Sequence, residues 1–239
     1  MRSIRRLLVG VAILALAACS REPGPPATPA GIAAATTIDF AHVANYAAPP
    51  LPAYFDETVA ALDNSPASNA ADDRVATLGR VLFHDLRLST NNRASCGSCH
   101  QQRFGFTDPM RFSNGISTAG TTDFHAMRLG NLRYWQPGTM FWDRRAADAE
   151  AQASQPLHSL VEMGWGGPAG GIDALIRKMS ATAYYPDLFA WAFGSATITE
   201  PRIQQALAQF VRAMVSHDSR WDAGYARVFS PAASNRALD

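Results

Sequence analysis

Lysine is nearly missing from this chain: Lys178 is the only one in 239 residues, and 21 Lys+Arg against 20 Asp+Glu leave a formal net charge of +1. A near-neutral chain with no basic cluster carries no electrostatic footprint for nucleic acid, so no nucleic-acid partner is expected. Cysteine is scarce as well. Cys19, Cys96 and Cys99 are too few for a disulfide framework, and their spacing gives each a separate task. Long hydrophobic runs are absent, since the longest, Leu7 to Ala18, falls short of the ~20 apolar residues that a permanent membrane span requires. No internal repeat is visible, and no alternating run reads as a sheet. With 47% hydrophobic and 17% charged residues, the composition is that of a globular domain, which excludes disorder throughout.

The N-terminus has a distinct pattern. Three arginines precede the apolar run, the order of a secretory signal. The run closes on Leu16-Ala17-Ala18-Cys19, which resembles the lipobox of bacterial lipoproteins, where cleavage leaves an acylated cysteine first. An ordinary secreted chain with an incidental cysteine is the alternative. Ser20, in place of an aspartate, implies the outer membrane. The expectation is therefore a signal peptide over 1–18 and a periplasmic protein lipid-anchored through Cys19. Removing the three arginines leaves a formal charge of about −2, without a special polyanionic or polycationic partner. Residues 21–35, rich in Pro, Ala and Gly and without apolar periodicity, read as a spacer.

Beyond the spacer the pattern predicts a mainly α protein with long irregular loops. Helices are expected over 72–83, 171–179 and 185–193, and from an N-cap at Thr199 toward His217, with Pro201 in its first turn. The last of these gathers Ile203, Ala206, Leu207, Phe210, Val211 and Met214 on one face. Residues 89–145, crowded with Gly, Asn, Ser, Pro and aromatics, make a compact unit only by wrapping something, and a cofactor is the expected content.

That cofactor is indicated by Cys96-Gly97-Ser98-Cys99-His100, a CxxCH pattern. Two thiols spaced by two residues can each add across a haem vinyl group while the next residue offers its imidazole to the iron, the attachment geometry of haem c. A CxxC redox pair and half of a zinc site are the competing readings. A structural zinc site needs four protein ligands, and only scattered histidines remain to complete it. No βαβ pattern surrounds the pair as a thioredoxin-like motif would demand.

The chain resembles the bacterial dihaem cytochrome c peroxidases and the related MauG-like dihaem enzymes. The carriers, in order, are Leu78 to Phe83 with Leu88-Ser89, the CxxCH motif, Gly105-Phe106-Thr107-Asp108, Phe141 to Ala146, Glu150-Ala151-Gln152, and Pro156 with Val161 to Gly164. The resemblance implies a cytochrome c-like haem domain, the first of two. It implies reduction of hydrogen peroxide to water with electrons from a small periplasmic donor, such as a cytochrome c or a copper protein. His100 is then the proximal iron ligand, with Cys96 and Cys99 as thioether anchors. Glu162 matches the distal acid, Gln152 the glutamine beside the peroxide site, and Trp142 the tryptophan between the haems. One carboxyl over the iron suits proton transfer between the two peroxide oxygens, and an amide suits alignment. On the residues alone, Glu162 and Gln152 read first as surface polar groups, and Trp142 at least as readily as a buried aromatic as an electron relay.

Two departures stand out. The family's distal histidine has no counterpart in 114–120, so an open iron is expected, as in the MauG-like branch. His125 is the nearest substitute, either as iron ligand or, the favoured reading, as a packed residue close to the site. The segment Phe124 to Arg128 replaces the Arg-Asn pair that helps to hold calcium in the family, which places calcium binding in doubt. Met110, Met127, Met140 and Met163 read as core before sulfur ligands. The second departure is that no other CxxCH follows before Asp239. The expected organisation is a tether over 19–48, an N-terminal peroxidase domain over 49–217, and over 218–239 the start of a second haem domain that is absent. This pattern reads as a fragment or a prematurely ended product with one haem, whose bare surface invites association or a dimer. A lipid-anchored monohaem electron carrier is the reading from another class.

Overall fold

The computed structural model describes residues 30–116 and 120–230; the signal peptide, Cys19 and the first part of the tether lie outside the described residues. Nine α-helices occur among them. They are α1 (Ala30–Ala35), α2 (Glu57–Ala60), α3 (Asp73–His84), α4 (Cys96–Cys99), α5 (Ala149–His158), α6 (Gly171–Ser180), α7 (Tyr185–Phe193), α8 (Glu200–Arg212) and α9 (Arg220–Val228). The described residues hold no sheet, only the isolated bridges Gln101 to Thr107 and Met140 to Ala146. The mainly α expectation stands. None of these helices is long and apolar enough to cross a membrane.

The frame is the packing of α3 on α8. Asp72 caps α3 by accepting from the Arg74 and Val75 amides, and Thr199 caps α8 by accepting from Arg202. Each helix buries one stripe: Leu78, Leu82 and Phe83 on α3, Ile203, Ala206, Leu207 and Phe210 on α8. The backbones touch at Gly79, where an added Cβ would lie 1.9 Å from the Ala206 carbonyl oxygen. Only glycine permits that approach. α8 ends at Arg212 rather than at His217, because the Ala213 amide closes the last turn onto Gln209 and Phe210 and Val215 then bonds back to Ala213.

Polar residues tie α5 to this pair. Arg212, almost fully buried, donates to both Glu150 carboxylate oxygens at 2.5 and 2.8 Å and to Asn64 Oδ1 at 2.9 Å. Burial pushes the Glu150 carboxyl up, but hydrogen bonds from Arg212 and Asn69 more than offset it, and the net shift is downward.

The stretch 30–48 differs from a plain tether. Ile32 and Phe40 are buried in the core, α1 packs on α7, and Phe40 meets Trp191 edge to face at 5.0 Å. A few isolated apolar anchors among Ala and Pro leave no periodicity for a sequence reading to detect.

Candidate functional site: a cavity around the CxxCH turn

One short turn presents the motif. α4 is opened by Ser95, whose amide donates to Ser98 Oγ at 3.0 Å, and closed by the His100 amide donating to the Cys96 carbonyl at 2.8 Å. Gly97 packs against α3, where a Cβ would come within 2.7 Å of His84 Nδ1. The chain then doubles back through Gly105 and Phe106, both left-handed at φ 69 and 60. This reversal sets the Phe106 carbonyl 2.9 Å from His100 Nδ1. A carbonyl only accepts, so Nδ1 carries the hydrogen and Nε2 keeps its lone pair. Burial lowers the His100 pKa, so the ring is a neutral imidazole with one nitrogen ready for a metal.

Burial acts oppositely on the thiols. It pushes Cys96 up to about 12 and Cys99 upward as well, and the two form no disulfide. Reactive redox pairs lie the other way, with thiolates favoured near neutral pH. Protonated thiols on one turn suit addition to vinyl groups.

Cys96, Cys99 and His100 line a cavity of about 490 Å³. Its size falls in the ~300–1,000 Å³ range of cofactor sites, and apolar side chains including Phe83, Leu132, Met163 and Leu207 make much of its wall. Haem c fits this donor set and this shape. Glu162, Gln152, Trp142 and His125 line the same cavity, so the tertiary structure gathers residues that the sequence spreads from 96 to 162. Among the described residues no group of three or more His, Cys, Asp or Glu is arranged to hold a metal ion.

Glu162 sits on a turn clamped from both sides. The Ile116 amide donates to the Val161 carbonyl and the Thr90 amide to the Met163 carbonyl, each at 2.9 Å. Gly115 makes the first clamp possible, since a Cβ there would lie 2.0 Å from the Val161 carbonyl oxygen. Gly164, left-handed at φ 87, closes the turn with its amide on the Ser159 carbonyl at 2.7 Å. Burial raises the Glu162 pKa, and the Arg145 charge opposes that rise. Gln152 projects from α5, half-buried.

His125 is engaged at both nitrogens. Its Nδ1 donates to the Met110 and Arg111 carbonyls at 3.0 and 3.2 Å, and Nε2 pairs with the Thr107 hydroxyl at 3.0 Å. Trp142 is 61% exposed at the rim, with Nε1 donating to the His125 carbonyl at 2.9 Å. It is not a buried aromatic, and left-handed backbone flanks it at Phe141 and Arg144. Met140 and Met163 are core residues and Met127 is half-buried, but Met110 is exposed on the surface.

The Phe106 carbonyl escaped the sequence reading. Its only sequence signal was Gly105 one position earlier, which marks a chain reversal without saying where the carbonyl points.

A helical fold around a cavity lined by a CxxCH turn is the fold of a c-type cytochrome domain. A family model described as di-haem cytochrome c peroxidase matches residues 73–227, and the chain belongs to that family, whose members bind covalently attached haem c. It is 33% identical over 180 residues to the methylamine utilization protein MauG of Methylophilus methylotrophus, covering 71% of this chain and 49% of that protein. To the cytochrome c551 peroxidase of Nitrosomonas europaea it is 32% identical over 154 residues, covering 62% and 42%. Among solved structures, a MauG-like protein associated with microbial copper homeostasis superposes with a TM-score of 0.61 at 32% identity, over 76% of this chain and 49% of that one. The diheme peroxidase BthA of Burkholderia thailandensis does so with a TM-score of 0.56 at 26% identity, over 68% and 45%. The chain thus spans about half the length, or somewhat less, of these relatives.

Proposed function

We propose that this domain holds one haem c through Cys96, Cys99 and His100 and reacts with hydrogen peroxide at the cavity face bearing Glu162 and Gln152, as the peroxide-consuming part of a peroxidase. The observation that carries this reading is one cavity uniting a neutral, oriented imidazole with a carboxyl whose pKa burial raises toward neutrality. When bound, the haem supplies a redox-active iron. Reduction of peroxide to two waters consumes two electrons and two protons, the electrons coming from a small periplasmic donor. Glu162 takes the proton from one peroxide oxygen and delivers it to the departing one, a task for which a pKa near the working pH is best. Gln152 offers an N–H donor and a carbonyl acceptor that align the oxygens without adding charge. His125, held at both nitrogens, serves as a packed support of the wall rather than a ligand. The same reading places the domain in the periplasm, anchored through an acylated Cys19, which Cys19→Ala should release from membranes.

The test is stopped-flow mixing of the haem-loaded protein with hydrogen peroxide. Glu162→Gln should slow the reaction about 10²- to 10⁴-fold at unchanged haem content. Equal rates in parent and variant would overturn the assignment. A second reading, oxidation of a protein or small-molecule substrate after the manner of MauG-like enzymes, is favoured by 33% identity to a MauG beside 32% to a peroxidase. Turnover with a reduced small cytochrome supports the first reading, and reaction with peroxide without such turnover supports the second.

A further inference from the structure

Arg145 is a cationic side chain of the cavity that the mechanism leaves unused. It lines the cavity, and its guanidinium stacks on the Phe141 ring with 3.6 Å to the centroid. Nη1 donates to both Asp143 carboxylate oxygens at 2.9 and 3.1 Å. Nε donates to Gln155 Oε1 at 3.1 Å, on α5 one turn beyond Gln152. Phe141 and Arg144 both hold left-handed backbone, at φ 71 and 58, a conformation that non-glycine side chains keep only where surrounding contacts enforce it. The Arg145 stack and fork are such contacts, joining the 141–145 loop to the helix that carries Gln152.

We infer that Arg145 is a positioning residue of the reactive site: its stacked guanidinium locks the 141–145 loop onto α5 and holds a positive charge in the cavity that Glu162 lines. This inference rests on the peroxide reading for its purpose but not for its test. The charged and titratable groups that share the cavity with Glu162 are Arg145 with its partner Asp143, the two thiols of α4, His100, Asp123, His125 and Arg128. Arg145 is the one among them whose charge holds the Glu162 proton affinity down against burial. The site then has a carboxyl tuned between two opposing influences, desolvation upward and Arg145 downward, and the clamp ties the 141–145 loop to the helix that carries Gln152.

The experiment is an infrared pH titration of the Glu162 carboxyl in the haem-loaded protein, the band being assigned by its loss in Glu162→Gln. Arg145→Gln keeps a flat amide over Phe141 and removes the charge. Its midpoint should rise by about half a pH unit, as befits one partly exposed, carboxylate-paired charge at an effective dielectric constant of about 20. Arg145→Lys keeps the charge and should return the midpoint to the parent value within about 0.2 unit. A role confined to packing would lower haem retention in both variants alike and leave the midpoint in place. An unmoved midpoint in Arg145→Gln overturns the inference. If that variant retains no haem, Asp143→Asn decides, since it frees the Arg145 charge of its partner: a fall in the midpoint supports the inference and an unchanged one overturns it. Should the midpoint move as expected while neither Arg145 nor Glu162 affects reaction with peroxide, the peroxide reading fails and this inference stands.

Discussion

The α3–α8 crossing and the 89–145 wall lie on adjoining sides of the same cavity, yet different forces hold them. At the crossing, fully buried Leu78, Leu82, Ile203 and Ala206 make a dense apolar contact, and a single glycine sets its depth. Along the wall the backbone has only 3-10 turns, the single turn of α4 and isolated bridges, pinned by particular hydrogen bonds such as His100 Nδ1 to the Phe106 carbonyl and Trp142 Nε1 to the His125 carbonyl. Non-glycine residues in the left-handed region, Asn92, Phe106, Asn131, Phe141 and Arg144, all fall within this wall. The comparison teaches that the α3–α8 crossing supplies stability, while the irregular wall, with α5 and the 159–164 turn, presents the polar side chains of the cavity. An irregular wall lets consecutive residues point a carbonyl, an indole or a guanidinium wherever the site needs one, which helix and strand periodicity forbids.

The largest expected effect strikes the wall. Changing Cys96 and Cys99 together to alanine should abolish covalent haem attachment, read as haem released by acid-acetone extraction. Full retention of haem would show that the turn is not the attachment point.

The next strikes the crossing. Gly79→Val places two γ carbons beyond a Cβ that already meets Ala206 backbone, and should cost about 3 kcal/mol or more, above the ordinary range for overpacking. Chemical denaturation of parent and variant measures it. A small loss would mean that the two helices part easily.

Glu150 tests whether the polar tie belongs with the stable half. Glu150→Ala leaves the Arg212 guanidinium buried without its carboxylate, an expected loss of about 3 kcal/mol. The pH dependence has a definite sign: the folded pKa of Glu150 lies below its ordinary value, so the contribution is complete above the unfolded pKa and lost as pH falls through the folded one. Stability of the parent should therefore decline in acid below about pH 4.5 more steeply than that of Glu150→Gln.

The smallest effects belong to wall residues whose role is spectroscopic. His125→Ala should leave the spin state of the ferric haem unchanged, because both ring nitrogens are already used by Thr107, Met110 and Arg111. Conversion from low-spin to high-spin in that variant would make His125 a ligand. Trp142→Phe removes one exposed hydrogen bond and should cost less than about 1 kcal/mol in thermal denaturation.

Local signals sufficed for much of this protein. Asp72 and Thr199 announce their helices because a cap needs only a short polar side chain before an apolar stripe, and α7 begins and ends where its sequence pattern does. CxxCH identifies its own chemistry because thiols and imidazole are neighbours in the chain. What only the tertiary structure decided is whatever depends on contact between distant segments. Ile32 reaches the core through α7, and Trp142 faces outward. The Phe106 carbonyl orients an imidazole six residues earlier, and Arg145 comes to line the same cavity as Glu162. A residue's charge, size and hydrogen-bonding groups are written in the sequence, but burial and the neighbours that shift a proton equilibrium are properties of the folded environment. Glu162 as a letter is one acidic residue among twenty, and the closed turn from Ser159 to Gly164, pressed onto Gly115, makes it a carboxyl with a raised pKa facing a cavity.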